Sequence, residues 1–244
     1  MGKYVGFLFG IISYAVFFVA FLYAIGFVGN LYVPKTIDSG SQAGLVSSAV
    51  INLLLLSLFA LQHSIMARPA FKRWLTGFIS PAVERSLYIL LSSLALLLIF
   101  WLWQPMTMVI WQLEIQWLAY VITGLYFLGW LVVLLSTFMI NHFELFGLQQ
   151  IYMNLNNKTA PTPKFQTNYF YKLCRHPIML GFVIAFWAAP TMTVGHLLFS
   201  VVTTLYIIIA VKYLEEKDLK KFIGPRYEVY QKDVPMLIPT FRKK

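Results

Sequence analysis

Charged positions are absent from five long stretches of the chain: 4–34, 39–67, 86–113, 115–143 and 176–211. Each exceeds the roughly 20 apolar residues that a helix needs to cross a bilayer. The first four are read as single transmembrane helices. The fifth is broken near its middle by Ala189-Pro190-Thr191-Met192-Thr193-Val194-Gly195, where proline and glycine interrupt a helix. It is read as a helical hairpin with a first arm of about 13 residues, covering about 20 Å at 1.5 Å per residue. The predicted fold is an all-α polytopic membrane protein with four transmembrane helices and a C-terminal helical hairpin.

The polar remainder refines this picture. The segment 144–175, with Asn154 to Asn157 and Pro161-Thr162-Pro163, is polar and predicted to be a long loop. Residues 212–222 are read as a charged continuation of the hairpin's second helix, supported by the i,i+4 pairs Lys212–Glu216 and Glu216–Lys220 and stopped by Gly224-Pro225. The first stretch is too long for a signal-peptide core and is read as a retained helix. No segment outside the stretches has the apolar content for its own core, so a single domain over 1–244 is expected.

Composition adds exclusions. Of 244 residues, 59% are hydrophobic and 11% charged, which excludes disorder and an ordinary soluble domain. One cysteine, Cys174, excludes an internal disulfide framework. A net charge of +10 raises nucleic acid as a partner, but the cations sit beside membrane spans. With a hairpin at the end, every Lys and Arg except Lys35 falls on one side. The positive-inside rule then places both termini in the cytoplasm.

On that topology, polar groups gather at the cytoplasmic helix ends. Gln62 and His63 close the second helix, and Asn141, His142 and Glu144 close the fourth. Arg175 and His176 open the hairpin, and Glu215 and Glu216 leave it. Ionisable groups beside membrane helices are functional candidates. Each also has an ordinary reading: Arg175 snorkels to headgroups, His63 is an interfacial hydrogen-bonding histidine, and Glu215 and Glu216 form a solvated face. His196, at the hairpin turn, is read as structural. No histidine spacing makes a zinc motif and one cysteine makes no thiolate cluster, so no metal is expected. GxGxxG, GxxxxGK[ST] and GxSxG are all absent.

Four elements in order are more specific than any alone: Arg175-His176-Pro177-Ile178-Met179-Leu180-Gly181, then Glu215-Glu216, then Phe222-Ile223-Gly224-Pro225-Arg226-Tyr227-Glu228-Val229-Tyr230, then Val234-Pro235-Met236-Leu237-Ile238-Pro239. This order resembles the isoprenylcysteine carboxyl methyltransferase superfamily. With Asn141-His142-Phe143-Glu144-Leu145-Phe146-Gly147 and the hairpin sequence, it looks most like the methanethiol S-methyltransferases, relatives of the NnrU-type membrane proteins. Met179 departs from the tyrosine common in the broader superfamily, which argues against a prenylcysteine substrate. The resemblance implies S-adenosyl-L-methionine as cofactor, bound within about 141–239. It implies methanethiol, a small volatile thiol, as substrate and dimethyl sulfide as product. A bacterial inner membrane with a cytoplasmic active site is implied; no protein partner or nucleic acid is expected.

The residues suit that chemistry. Arg175 offers a planar fork for a carboxylate, His176 a further donor, and Pro177 a helix start whose amides favour an anion. Glu215 and Glu216 suit an ammonium or ribose hydroxyls. Tyr227 and Tyr230 suit an adenosine pocket, and the tail suits a lid. The nucleophile is a thiolate. His142, oriented by Glu144 or Asn141, is the expected base, with His176 its rival. Asn141, Phe143, Met179, Phe146 and Trp187 are expected at the substrate. Three alternatives stand beside this: methylation of a larger lipid-soluble thiol, carboxylate or amine; an NADPH-dependent sterol-type reductase; and a non-enzymatic membrane subunit or transporter.

Overall fold

The computed structural model describes residues 2–159, 161 and 165–239. Thr162, Pro163 and Lys164 of the expected loop, and the terminal cations Arg242, Lys243 and Lys244, lie outside the described residues. In chain order the elements are α1 (Lys3–Gly29), α2 (Leu45–Ala67), α3 (Pro69–Leu75), α4 (Pro81–Leu102), β1 (Val109–Gln112), α5 (Gln116–Ile140), α6 (His142–Leu145), α7 (Leu148–Leu155), α8 (Pro177–Trp187), β2 (Thr191–Thr193), α9 (Val194–Ile209), α10 (Glu216–Ile223) and α11 (Pro225–Asp233). A 3-10 turn covers Tyr169–Lys172, and a π-helical segment, Ala210–Glu215, joins α9 to α10.

Among the described residues, five helices are long and apolar enough to cross a membrane: α1, α2, α4, α5 and the continuous helix Val194–Ile223. The protein is a multi-pass membrane protein. The broken fifth stretch forms α8 and α9, which pack on each other, and α8 has 11 residues, about 16 Å at 1.5 Å per residue, too short to span by itself. Proline opens α3, α4, α8 and α11 at the first turn, where its missing N–H costs nothing. Several hydroxyls inside helices are satisfied locally: Ser13 donates to the Phe9 carbonyl at 2.8 Å, Ser136 to Val132 at 2.6 Å and Thr203 to Phe199 at 2.6 Å. An unpaired hydroxyl in hydrocarbon would be costly.

The chain divides into two compact units, 1–107 with 141–163, and 108–140 with 164–244. In the first, α1 packs on α4, α4 on α2, and α7 against both α1 and α4. Phe27 and Phe100 meet at 4.8 Å between ring centres, and the buried Trp103 indole donates to the Ile37 carbonyl. Nearer α6, Met66, Tyr88, Ile89 and Phe146 form a buried cluster with Tyr14, Phe17, Phe71 and Leu75 around it. α7 corrects the expectation of a loop over 144–175. Leu148, Ile151 and Leu155 recur at helical spacing, and Ile151 is buried beside Gly10 of α1.

In the second unit, α5 and α8 pack so closely that a Cβ on Gly129 would lie 2.6 Å from the Ala185 nitrogen. One on Gly181 would lie 2.7 Å from the Gly129 oxygen. Small residues permit such approach between membrane helices. A short ribbon joins the otherwise helical fold: β1 and β2 pair antiparallel, Val109 opposite Thr193 and Gln112 opposite Thr191. Two connectors outside the helices would otherwise carry unpaired backbone groups. Thr193 also caps α9, accepting from the His196 amide at 3.1 Å.

Candidate active site

In the second unit, a buried ionic cluster forms where α8 begins and the π segment ends. His176 precedes α8 and Pro177 occupies its first position. Arg175 Nε and Nη2 both donate to Glu216 Oε1 at 2.7 Å, and Nη1 donates to the carbonyls of Gln231, at 2.9 Å, and Val234. Gln231 Nε2 donates to Glu216 Oε2 at 2.7 Å. His176 faces a carboxylate from each ring nitrogen, Glu216 at 3.2 Å from Nε2 and Glu215 at 3.5 Å from Nδ1. Burial opposes its charge, but the two carboxylates outweigh burial and raise its pKa to about 9. The ring is therefore an imidazolium at neutral pH, donating from both nitrogens. The backbone extends the clasp: the amides of Arg175 and His176 donate to Pro235 and Met236.

Two expectations change at this cluster. Glu216 is buried and engaged by Arg175, His176 and Gln231 rather than by surface lysines. The wider π turn before it lets Glu215 stay half-exposed while Glu216 turns inward. The Arg175 fork, expected to face a ligand carboxylate, is filled by the chain itself and ties α10 and α11 to the start of α8.

Tyr227 is buried against Phe165 and Tyr230, at 5.9 Å from each ring. Its hydroxyl is buried without a hydrogen-bond partner among the described residues. Burial, then the charge of Glu216, raises its pKa, with Arg175 acting the other way. Tyr230 donates to the Tyr171 carbonyl, and burial pushes its pKa up to about 12. Met179 is half-buried in the first turn of α8. Trp187 does not join it: at the far end of α8, about 12 Å along the axis, it donates to Thr204 at 2.9 Å. Cys174 is buried, and burial raises its pKa to about 11, so it remains a neutral thiol.

In the first unit, Asn141 caps α6 by accepting from the Glu144 amide at 3.3 Å. Its amide donates to Glu144 Oε2 at 3.1 Å and Gln149 Oε1 at 2.7 Å. Asn141 and Phe143 line a cleft of about 430 Å³ with Phe7, Ile11, Leu148 and Tyr152. His142, between them in sequence, turns inward. It is buried, and its Nε2 lies 2.7 Å from the Tyr14 hydroxyl, the donor depending on the tautomer. Burial lowers its pKa, so the ring is neutral at pH 7. Phe146, expected at the substrate, is instead core, stacked on Phe17 at 4.0 Å. His63 meets the Tyr88 hydroxyl at 2.8 Å and Ser92 at 3.2 Å, as an interfacial histidine does. His196 Nε2 bonds the Phe186 carbonyl at 2.9 Å, a structural role.

Residues 51–221 match the family described as NnrU protein. The chain belongs to the NnrU family. Among NnrU-like proteins, Methanethiol S-methyltransferase 1 of Bradyrhizobium diazoefficiens is 54% identical over 240 residues, 98% of this chain and 84% of its own. Methanethiol S-methyltransferase of Mycobacterium tuberculosis is 50% identical, with 98% of each chain covered. That of Crocosphaera subtropica is 48% identical over 97% of this chain and 92% of its own. These identities place the NnrU-family chain in the methanethiol S-methyltransferase group, which is a group of enzymes. No solved structure matches the chain.

Sequence reasoning about this NnrU chain missed Tyr14, Gln231 and Phe165. Tyr14 lies 128 positions from His142, inside an apolar helix with no local polar signal. Gln231 follows the Tyr227–Tyr230 motif, but only the fold turns its amide towards Glu216.

Proposed function

We propose that the protein methylates methanethiol to dimethyl sulfide with S-adenosyl-L-methionine as methyl donor, at the cytoplasmic face of a bacterial inner membrane. The near-full-length similarity to proteins named methanethiol S-methyltransferase carries this reading. The cluster at Arg175, His176, Glu215 and Glu216 supports the donor assignment.

The residues fit that donor. Glu215 keeps a half-exposed carboxylate beside the His176 imidazolium, suited to an ammonium. The unpartnered Tyr227 hydroxyl is a hydrogen-bonding group awaiting a polar ligand atom, since an orphaned buried hydroxyl is costly. Phe165, Tyr227 and Tyr230 pack edge to face on one another, aromatic surroundings that suit an adenine or a cation. Arg175 holds Glu216 and the tail, and so keeps Glu215 and Tyr227 in place. When bound, S-adenosyl-L-methionine supplies an electrophilic methyl group on a positively charged sulfur.

The acceptor must lose its thiol proton to become a nucleophile. His176, charged at neutral pH, is unsuited to take it. His142, held neutral by burial, is suited, and we assign it the base role with Tyr14 as its hydrogen-bonding partner. Asn141 and Glu144 hold the short helix that carries it. Met179 and Phe143 remain assigned to the apolar surroundings of the thiol. A second reading, a larger lipid-soluble thiol, draws on the size of the cleft beside Asn141 and Phe143.

Headspace gas chromatography of the purified protein in lipid vesicles, given methanethiol and S-adenosyl-L-methionine, tests this. Dimethyl sulfide from wild type, with loss of cofactor binding in Tyr227→Phe, is expected. Preference for octanethiol over methanethiol would move the assignment to the larger thiol. No methylated thiol from either, with no cofactor binding, would overturn the proposal.

A further inference from the structure

His142 sits on a helix too short to hold itself. α6 has four residues. Its backbone bonds run from the Leu145 amide to the Asn141 carbonyl and from the Phe146 amide to the His142 carbonyl. One turn fixes more backbone freedom than so few hydrogen bonds offset, so contacts from elsewhere must keep it in place. Asn141 serves its N-terminal end. α4 serves the other: across 60 positions of sequence, Arg85 Nε donates to the Leu145 carbonyl at 2.8 Å. Carbonyls at the end of a helix lack intrahelical donors, and a guanidinium makes a charge-assisted bond to one.

Arg85 is itself fixed. Its guanidinium lies over the Tyr88 ring, 5.2 Å from the centroid, and Tyr88 is buried in the cluster that includes Phe146. An arginine serving the lipid surface would extend its head to the water; this one turns back onto the protein. A second contact lies beside it. Gly147, just past α6, has φ +86°, and a Cβ there would lie 2.8 Å from Ser86 Oγ and 3.0 Å from the Ser86 nitrogen. The chain leaving α6 thus rests against α4 next to Arg85. From α1, the Tyr14 hydroxyl meets His142 Nε2 at 2.7 Å. A contact that short survives only while α6 keeps its orientation.

We infer that Arg85 is a positioning residue: from α4 it clamps the C-terminal end of α6 and so keeps His142 turned inward against Tyr14. The consequence for catalysis rests on the base role assigned to His142 above; the clamp itself does not.

The test treats the full chain in lipid vesicles with diethyl pyrocarbonate, which modifies imidazoles that water can reach, and follows each histidine by peptide mass spectrometry. In wild type the buried His142 should react slowly. Arg85→Met, which removes the donor, and Gly147→Ala, which pushes the chain off α4, should each speed its modification several-fold. Arg85→Lys, which can still donate to the same carbonyl, should restore most of the protection. His63 and His196 should keep their wild-type rates in every variant. Unchanged protection of His142 in Arg85→Met would overturn the inference. So would faster modification of His63 and His196 in step with His142, which would mean general loosening of the fold. Kinetics then test the catalytic consequence. In Arg85→Met, kcat for dimethyl sulfide should fall by up to about 100-fold, the cost of misplacing a reacting group by about 1 Å, with KM for S-adenosyl-L-methionine unchanged. An uncovered His142 with an unmoved kcat would overturn the base role and leave the clamp standing.

Discussion

Glu216 receives Arg175 from two nitrogens, His176 from one and Gln231 from another. A buried charge with this many partners is stable only while all are present. Removing one member strands the others, at a cost of about 3–5 kcal/mol. Glu216→Ala should therefore lose roughly that much stability in a denaturant titration, and Glu216→Gln less, because the amide keeps part of the network. His176 gives a pH signature. Its folded pKa, about 9, lies above the ordinary value of 6.5. Its contribution to stability is complete below about pH 6.5 and is lost as the pH rises through about 9. The melting temperature should fall between pH 7 and 10, and His176→Gln should flatten that slope. His176 and Glu216 were legible as candidates in the sequence, by type and by motif. Their engagement with one another was not, because 40 positions separate them and only the hairpin returns one to the other.

At the scale of elements, apolar run length forecast α1, α2, α4 and α5 closely, because covering hydrocarbon needs a minimum length of helix. It did not forecast which residues of α5 and α8 touch. Gly129 and Gly181 sit at backbone contact there, so Gly181→Val should force the helices apart. A loss of about 1–3 kcal/mol, the usual cost of overpacking, should appear as a lower melting temperature with helical content unchanged. α7 was hidden because Gln149, Gln150 and Asn154 mask a spacing that Ile151 reveals only once it is buried beside Gly10. The β1–β2 ribbon was equally hidden: pairing of two connectors is a long-range event with no local sequence signal.

For the whole molecule, the distribution of lysine and arginine predicts that α2 carries the chain from outside to inside. With Cys174 replaced by serine, a cysteine at Ser41 should label with an impermeant maleimide added to intact cells. One at Arg73 should label only after permeabilisation. Labelling of both from outside would reverse that reading. Helical structure, several membrane crossings and candidate chemistry at a few helix ends are legible in the order of residues. Those properties follow from hydrocarbon length, charge and residue type, all of which are local. The folded chain alone shows that Arg175 is spent on Glu216 and the tail, that two carboxylates raise the pKa of His176 while burial lowers that of His142, and that the Tyr227 hydroxyl has no partner among the described residues. Each depends on burial and on partners brought together from distant positions, and burial and partner distance are properties of the folded chain.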